Sequence, residues 1–237
     1  MDKEKQLELD IADTIIDRPK GFSVGRRHFY LYPVTLGKMY LEKRIISNLN
    51  INIELLQANP YIESLRLVET KKEQCCLLIA YHTLQTKQEV LNNEIVNNRK
   101  KLILNEMSNE DIATLILTCL THDKTATYIQ YYGIDKELER MSEVVKAKDS
   151  KNSFSFGGKS IYGTLIDTVC ERYKWTFDYV LWEISYTNLQ MLVKDKVTSV
   201  YLTDEEMKSV HINNVSEMVD GNSKESVMNA IQGMSWK

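Results

Sequence analysis

The sequence predicts a mainly α-helical protein, a helical body carrying a short N-terminal β-hairpin. Glycine and proline number only 9 and 3 in 237 residues, too few for an all-β fold built on tight turns. Apolar residues recur at helical spacing, as in Ile112, Leu115, Ile116, Cys119 and Leu120, which together make one apolar face. In "HFYLY", by contrast, Phe29 and Leu31 alternate with His28, Tyr30 and Tyr32, the period of a half-buried strand.

Bulk composition sets further bounds. Hydrophobic residues make up 43% and charged residues 27%, a balance that suits a chain able to bury a core in one domain or two small ones. The formal net charge of −3 gives no general attraction for polyanions. The N-terminal stretch lacks an apolar signal region, and no run approaches the roughly 20 apolar residues of a membrane span. A cytoplasmic protein without a membrane segment is the expectation. Cys75, Cys76, Cys119 and Cys170 form no CxxC pair and lie in apolar helical surroundings, so buried free thiols are expected.

Residues 1–20 are highly charged, with a weak apolar stripe of Leu7, Leu9, Ile11 and Ile15, and read as a flexible arm. Residues 21–150 read as the hairpin plus a helical region. "FSV" and "HFYLY" flank "GRR", where Gly25 supplies a positive φ. Pro33 closes the second strand because it has no N–H for the ladder. Thr35 then precedes a helical run through Leu36, Met39, Tyr40 and Ile46. A helix over 60–86 has a charged first half and an apolar second half. "KQEVLNNEIVNNRKKLI" is either a helix or an irregular connection. Ser108 is a good N-cap, with Asp111 favourably placed three residues on, and "KELERMSEVVKAK" continues as a charged helix. Residues 151–160 form a loop, and 161–203 an aromatic-rich helical region in which Thr176 caps "FDYVLWEISYTNLQMLVKD". Residues 204–237 read as a polar C-terminal tail.

Catalytic chemistry has little to stand on. In "SFSFGGKS", Gly158, Lys159 and Ser160 match the end of a P-loop, but Ser153 stands where its first glycine belongs. No buried strand leads into it, and no magnesium-binding strand follows. Lys159 and Ser160 remain a possible weak anion site at the start of the next helix. His28, His82, His122 and His211 show no metal-ligand spacing with each other or with cysteine. His122–Asp123 reads as a helix terminus more readily than as a proton-transfer pair. There is no GxSxG elbow, and no catalytic residue, metal or cofactor is expected. At "GRRHFY", Arg26 and Arg27 can meet phosphates, and Phe29 or Tyr30 can stack on a base. Only two basic residues cluster there, however, and Lys38 and Lys43 share their helix with Glu42. The arginines therefore read as a solvated hairpin tip, with nucleic acid disfavoured.

The aromatic composition is the unusual feature. Tyr162, Tyr173, Trp175, Phe177, Tyr179, Trp182 and Tyr186 crowd one helical pair. Trp175, Tyr179, Trp182 and Tyr186 step by four, three and four residues, so one continuous helix would present them on a single face. Leu181, Ile184 and Leu192 fall on another. A helix apolar on two sides is either central to a core or partly given to a partner, and both readings stand at this point. The four aromatics are the candidate partner-binding residues. Met191 and Met234 suit adaptable contacts, whereas Met207 and Met218 read as ordinary composition.

Phe22, Val24, Phe29, Leu31, Pro33, Thr35 and Gly37 follow an "F-x-V…F-x-L-x-P-x-T-x-G" layout leading into a helix. Late in the chain, Tyr173, Trp175, Thr176, Val180 and Leu181 follow a "Y-x-W-(S/T)-x-x-x-(V/I)-L" segment. This arrangement resembles phage tail assembly chaperones, and "FGGKSIYGTLID" is similar to proteins encoded in phages and prophages of gut Bacteroidota. The resemblance covers about half the chain, and residues 60–150 make this chain longer than many such chaperones. It implies a non-enzymatic protein of the bacterial host cytoplasm that binds the tape-measure protein, or another tail protein, and keeps its apolar helices from aggregating. A homo-oligomer is compatible with this. A structural virion component, as ring or adaptor, is the alternative, and a nucleotide-binding protein the distant one.

Overall fold

The computed structural model describes residues 3–148 and 157–209. It begins with helix α1 (Lys3–Ile15), then the antiparallel strands β1 (Lys20–Val24) and β2 (Arg27–Leu31). Helices α2 (Leu36–Leu49), α3 (Ile53–Ala58), α4 (Pro60–His82), α5 (Lys87–Leu91), α6 (Asn93–Glu106), α7 (Asn109–Leu120), α8 (Thr125–Tyr132) and α9 (Ile134–Ala147) follow. After 157 come a π-helical turn (Tyr162–Ile166), α10 (Asp167–Tyr173), α11 (Phe177–Trp182), α12 (Tyr186–Lys194) and α13 (Asp204–Ser209). The expected architecture, mainly α with one N-terminal hairpin, is the architecture observed. No helix among the described residues is long and apolar enough to cross a membrane.

The described chain divides into two units, one formed by 3–135 with 157–196 and the other by 136–148 with 197–209. The second holds most of α9, together with α13. All that follows concerns the first.

Its centre is α4, which packs against α2, α6 and α7. Leu67, Val68, Cys75, Leu78 and Ile79 of α4 are buried with Ile45 and Leu49 of α2, Ile103 of α6, and Ile112 and Ile116 of α7. The apolar face expected on α7 is thus the face it buries. Ser108 starts that helix by accepting from Asp111 N at 3.1 Å, satisfying one of the amides left open at a helix start. Asparagine does the same elsewhere: Asn52, Asn59 and Asn92 cap α3, α4 and α6. The stretch read as helix or irregular connection is α5 and α6, split because Thr86 and Glu89 form a capping box and Asn92 opens a second helix.

The hairpin pairs Val24 with Arg27 across Gly25 and Arg26, and Gly25 takes φ 58°, a region open to glycine at little cost. Tyr32 N donates to His82 O at 2.8 Å, tying the end of the hairpin to the end of α4. Arg26 and Arg27 are exposed at the tip, while Phe29 lies half-buried with the Arg99 guanidinium over its ring at 4.5 Å. Phe29 is therefore not free to stack on a base.

Two readings change. Residues 1–20, read as a flexible arm, include a helix, Lys3–Ile15, bonded to Tyr128 of α8 and Asn188 of α12. The late aromatic stretch is not one helix but two, since α11 ends at Trp182 and Ser185 caps α12 by accepting from Asn188 N at 3.4 Å. Between them Ser185 bridges to Thr35, and Tyr186 N donates to Val34 O at 2.7 Å. The chain ahead of α2 thus captures the break. Lys38 and Glu42, noted in the sequence only as sharing a helix, are buried to 1% and 2% exposure. The expected loop at 151–160 is described only from residue 157, and the expected tail only to residue 209.

Cys75, Cys76 and Cys119 are buried free thiols and Cys170 is half-buried. Desolvation pushes Cys75 up to about 12 and Cys76 up to about 11, leaving both inert at neutral pH.

Candidate functional site

Helices α10, α11 and α12 pack on the N-terminal end of α2 through Leu36, Leu165, Ile166, Val169, Val180, Ile184 and Leu189. This second core fixes where the surrounding aromatics go. Lys174 ends α10 in the left-handed region with φ 58°, and Thr176 accepts from Tyr179 N at 3.2 Å to start α11. The turn between these helices is where the aromatic side chains emerge.

The four predicted docking residues separate. Trp175 and Tyr179 stay together, with ring centroids 5.0 Å apart, and Tyr173 stacks on Trp175 at 4.8 Å. Tyr179 is exposed and Trp175 half-buried. Trp182 turns inward to join Leu84, Val90 and Val96. Its ring also occupies the space beside Gly37, where an added Cβ would lie 2.7 Å from Cζ3. Tyr186 is half-buried at the start of α12, and burial, then Asp123 and Tyr40, push its phenol up. Of the four only Tyr179 is exposed, while Trp175, Trp182 and Tyr186 are each half-buried.

Phe177 and Tyr162 were among the noted aromatics but outside the predicted site. Their rings are parallel to within 5°, with centroids 6.4 Å apart, an offset stack. Phe177 is 48% exposed and Tyr162 64% exposed. Ile161, next to Tyr162, is also exposed. Tyr162 opens the π-helical turn, a rare geometry that occurs often at functional sites. Thus two aromatic contacts flank the Thr176 cap: Tyr162–Phe177, with both rings exposed, and Trp175–Tyr179, with Tyr179 exposed and Trp175 half-buried.

Lys159 and Ser160 are exposed. Ser160 O accepts from both Thr164 N at 2.8 Å and Thr164 Oγ1 at 2.7 Å, so the segment serves to start the π-helical turn. Of the P-loop-like motif, Ser153–Phe156 lie outside the described residues. His122 Nδ1 donates to Cys119 O at 2.6 Å, and Asp123 Oδ1 accepts from Thr125 N at 2.9 Å. The His122–Asp123 dipeptide thus joins one helix end to the next helix start. No group of three or more His, Cys, Asp or Glu among the described residues is placed to hold a metal ion.

Two further polar features belong to this unit. Inside, His82 Nε2 faces Glu42 Oε1 at 3.3 Å, both side chains being at most 4% exposed, with Lys38 one turn from Glu42 on α2. Burial opposes charge on His82, yet Cys119 and Glu42 beside it push its pKa up to about 10. Burial holds Lys38 down at about 8 against the pull of Glu42 and Glu89. On the surface, a cleft of about 210 Å³ lies between α1 and a wall that includes Val34, His82, Lys124 and Tyr128. Its polar groups largely satisfy one another: Asp10 pairs with Lys124, Asp13 with Arg18, and Thr14 with Tyr128.

Comparison with protein-family models, with curated proteins and with solved structures finds no match.

Proposed function

We propose that the chain is a non-enzymatic tail assembly chaperone of a bacteriophage, acting in the host cytoplasm by docking apolar helices of the tape-measure protein. The observation that carries this reading is the cluster of exposed rings around Thr176, namely Tyr162, Phe177 and Tyr179. Folding alone leaves no reason for two stacked rings, Tyr162 and Phe177, to stand in water at about half exposure or more, because each forfeits the burial free energy of a large apolar side chain. Rigid aromatic side chains offer large contact area at low entropic cost and dominate binding hot spots. An amphipathic helix laid across such rings buries its apolar stripe without demanding one sequence, which suits a long helical client. The "W-T" segment that supports the resemblance, Trp175 and Thr176, is the segment that builds this surface.

The test is co-expression with an apolar helical fragment of a phage tape-measure protein. The wild type is expected to keep the fragment soluble and to co-purify with it. Aggregation of the fragment to the same extent with and without the chain would refute the reading.

A further inference from the structure

The cleft of about 210 Å³ beside α1 is walled by α1, the end of the hairpin, the end of α7, α8 and the start of α12. Most of its polar lining is committed to other protein groups. Asp10 pairs with Lys124 and Asp13 with Arg18, and Asp17 Oδ1 accepts from Asn188 Nδ2 at 3.0 Å. The hydroxyls of Thr14 and Tyr128 bond each other at 2.8 Å. Three lining groups are left over. Among the described residues Lys20 makes no ion pair, and neither the Tyr32 hydroxyl nor His122 Nε2 makes a hydrogen bond.

The fold brings these three together. Lys20 opens β1 and pairs with Leu31 in the hairpin register, so it stands at the strand ends beside Tyr32. Tyr32 N donates to His82 O at 2.8 Å, which sets Tyr32 against the C-terminal end of α4. There the His82 ring meets the His122 ring edge-on, with centroids 5.5 Å apart. Lys20 and the Tyr32 hydroxyl are donors. Lys38 Nζ lies 5.8 Å from the Tyr32 ring centroid, and a cation over a phenol ring draws electron density from it and strengthens the O–H as a donor. His122 is an acceptor. Its Nδ1 donates to Cys119 O at 2.6 Å, and burial together with His82 holds its pKa below the ordinary value, so the neutral ring offers a lone pair at Nε2. Leu31, Pro33 and Val34 add apolar wall.

From these unpartnered groups in a partly apolar cleft, we propose that the cleft binds a small organic acid bearing both a carboxylate and a hydroxyl. The carboxylate takes the Lys20 ammonium and the Tyr32 hydroxyl, charge-assisted bonds being the stronger kind. The ligand hydroxyl donates to His122 Nε2, and its carbon body lies on Leu31, Pro33 and Val34. Because the carboxylates of α1 are already engaged, the charge left open in the cleft is positive, which selects an anion. A few convergent polar groups on an apolar wall are the usual form of a small-molecule site, and the volume limits the ligand to a single ring or a short chain. The inference is independent of which protein the aromatic surface binds.

Titration of para-hydroxybenzoate into the full chain, followed by amide chemical shifts in two-dimensional NMR, tests it. Saturable shifts are expected at Tyr32, Thr118 and Thr187. Binding should weaken about tenfold for para-hydroxybenzamide, which lacks the charge, and severalfold for benzoate, which lacks the hydroxyl. Lys20→Gln and Tyr32→Phe remove side-chain groups with no protein partner, and each should weaken para-hydroxybenzoate by about tenfold without loss of fold. The absence of saturable shifts up to tens of millimolar, shifts centred away from the cleft, or equal affinity for either control compound would overturn the proposal. Equal affinity in both variants would do the same. If circular dichroism shows a variant unfolded, the comparison of the three compounds on the wild type decides.

Discussion

The ring of Trp182 stands where a side chain on residue 37 would have to be, with Cζ3 2.7 Å from an ideal Cβ on Gly37 and Leu181 O 2.9 Å from it. Glycine lets α2 and α11 approach this closely. Gly37→Ala must push Trp182 and the α11 backbone away, and is expected to destabilise the fold by about 1–3 kcal/mol. Trp182→Ala removes a half-buried ring packed on Leu84, Val90 and Val96, at a cost of up to about 3 kcal/mol. Urea denaturation followed by circular dichroism measures both. If Trp182→Ala proves as stable as the wild type, the ring is not the packing element described.

Burial of Lys38, Glu42 and His82 makes a different demand. Glu42 is a buried carboxylate that faces His82 and acts on Lys38, so Glu42→Gln leaves their positive charge in the core less compensated. The expected loss is about 3–5 kcal/mol, read from the same denaturation curves.

The pH dependence of stability follows from the same group. His82 is raised from 6.5 to about 10, so the folded state binds more protons than the unfolded chain between those values. Its contribution is complete below pH 6.5 and is lost as pH rises toward 10. Lys38 is lowered from 10.5 to about 8, so its charged form opposes folding, and that opposition lifts as pH rises above 8. Stability should therefore decline from pH 6.5 to 8, where His82 acts alone, and decline less steeply beyond. Urea midpoints at pH 6.5, 8 and 9 check this, and His82→Gln should flatten the first interval.

The exposed rings should separate binding from folding. Tyr162→Ala and Phe177→Ala lose one exposed stack and are expected to change stability by no more than about 1 kcal/mol. Their effect on client affinity should be larger, about 2 kcal/mol or roughly 30-fold each. A variant that loses stability and affinity in step would show that the stack supports the fold instead.

How far the sequence revealed this molecule varies with the kind of signal. Local signals carried well: Ser108 and Thr176 cap the helices they were expected to cap, because a hydroxyl meeting an open amide is a contact within four residues. The hairpin was legible for the same reason. Burial of Lys38 and Glu42 was not, since it depends on α4 arriving over α2 and on His82 facing Glu42 across a separation of forty residues. The 4, 3, 4 spacing of Trp175, Tyr179, Trp182 and Tyr186 suggested one face, but Ser185 competes for the backbone as an N-cap and pairs with Thr35. A tertiary bridge thereby overrode a helical period. The exposure of Tyr162 and Phe177 depends on what packs around them, and residue type alone does not carry it.

The most direct test is calorimetric titration of a purified tape-measure helical fragment into the wild type and into a Phe177→Ala/Tyr179→Ala double variant with unchanged circular dichroism. The account predicts saturable binding to the wild type and an affinity at least about 100-fold weaker for the variant. Equal affinity for both proteins, or no binding to the wild type, would contradict it.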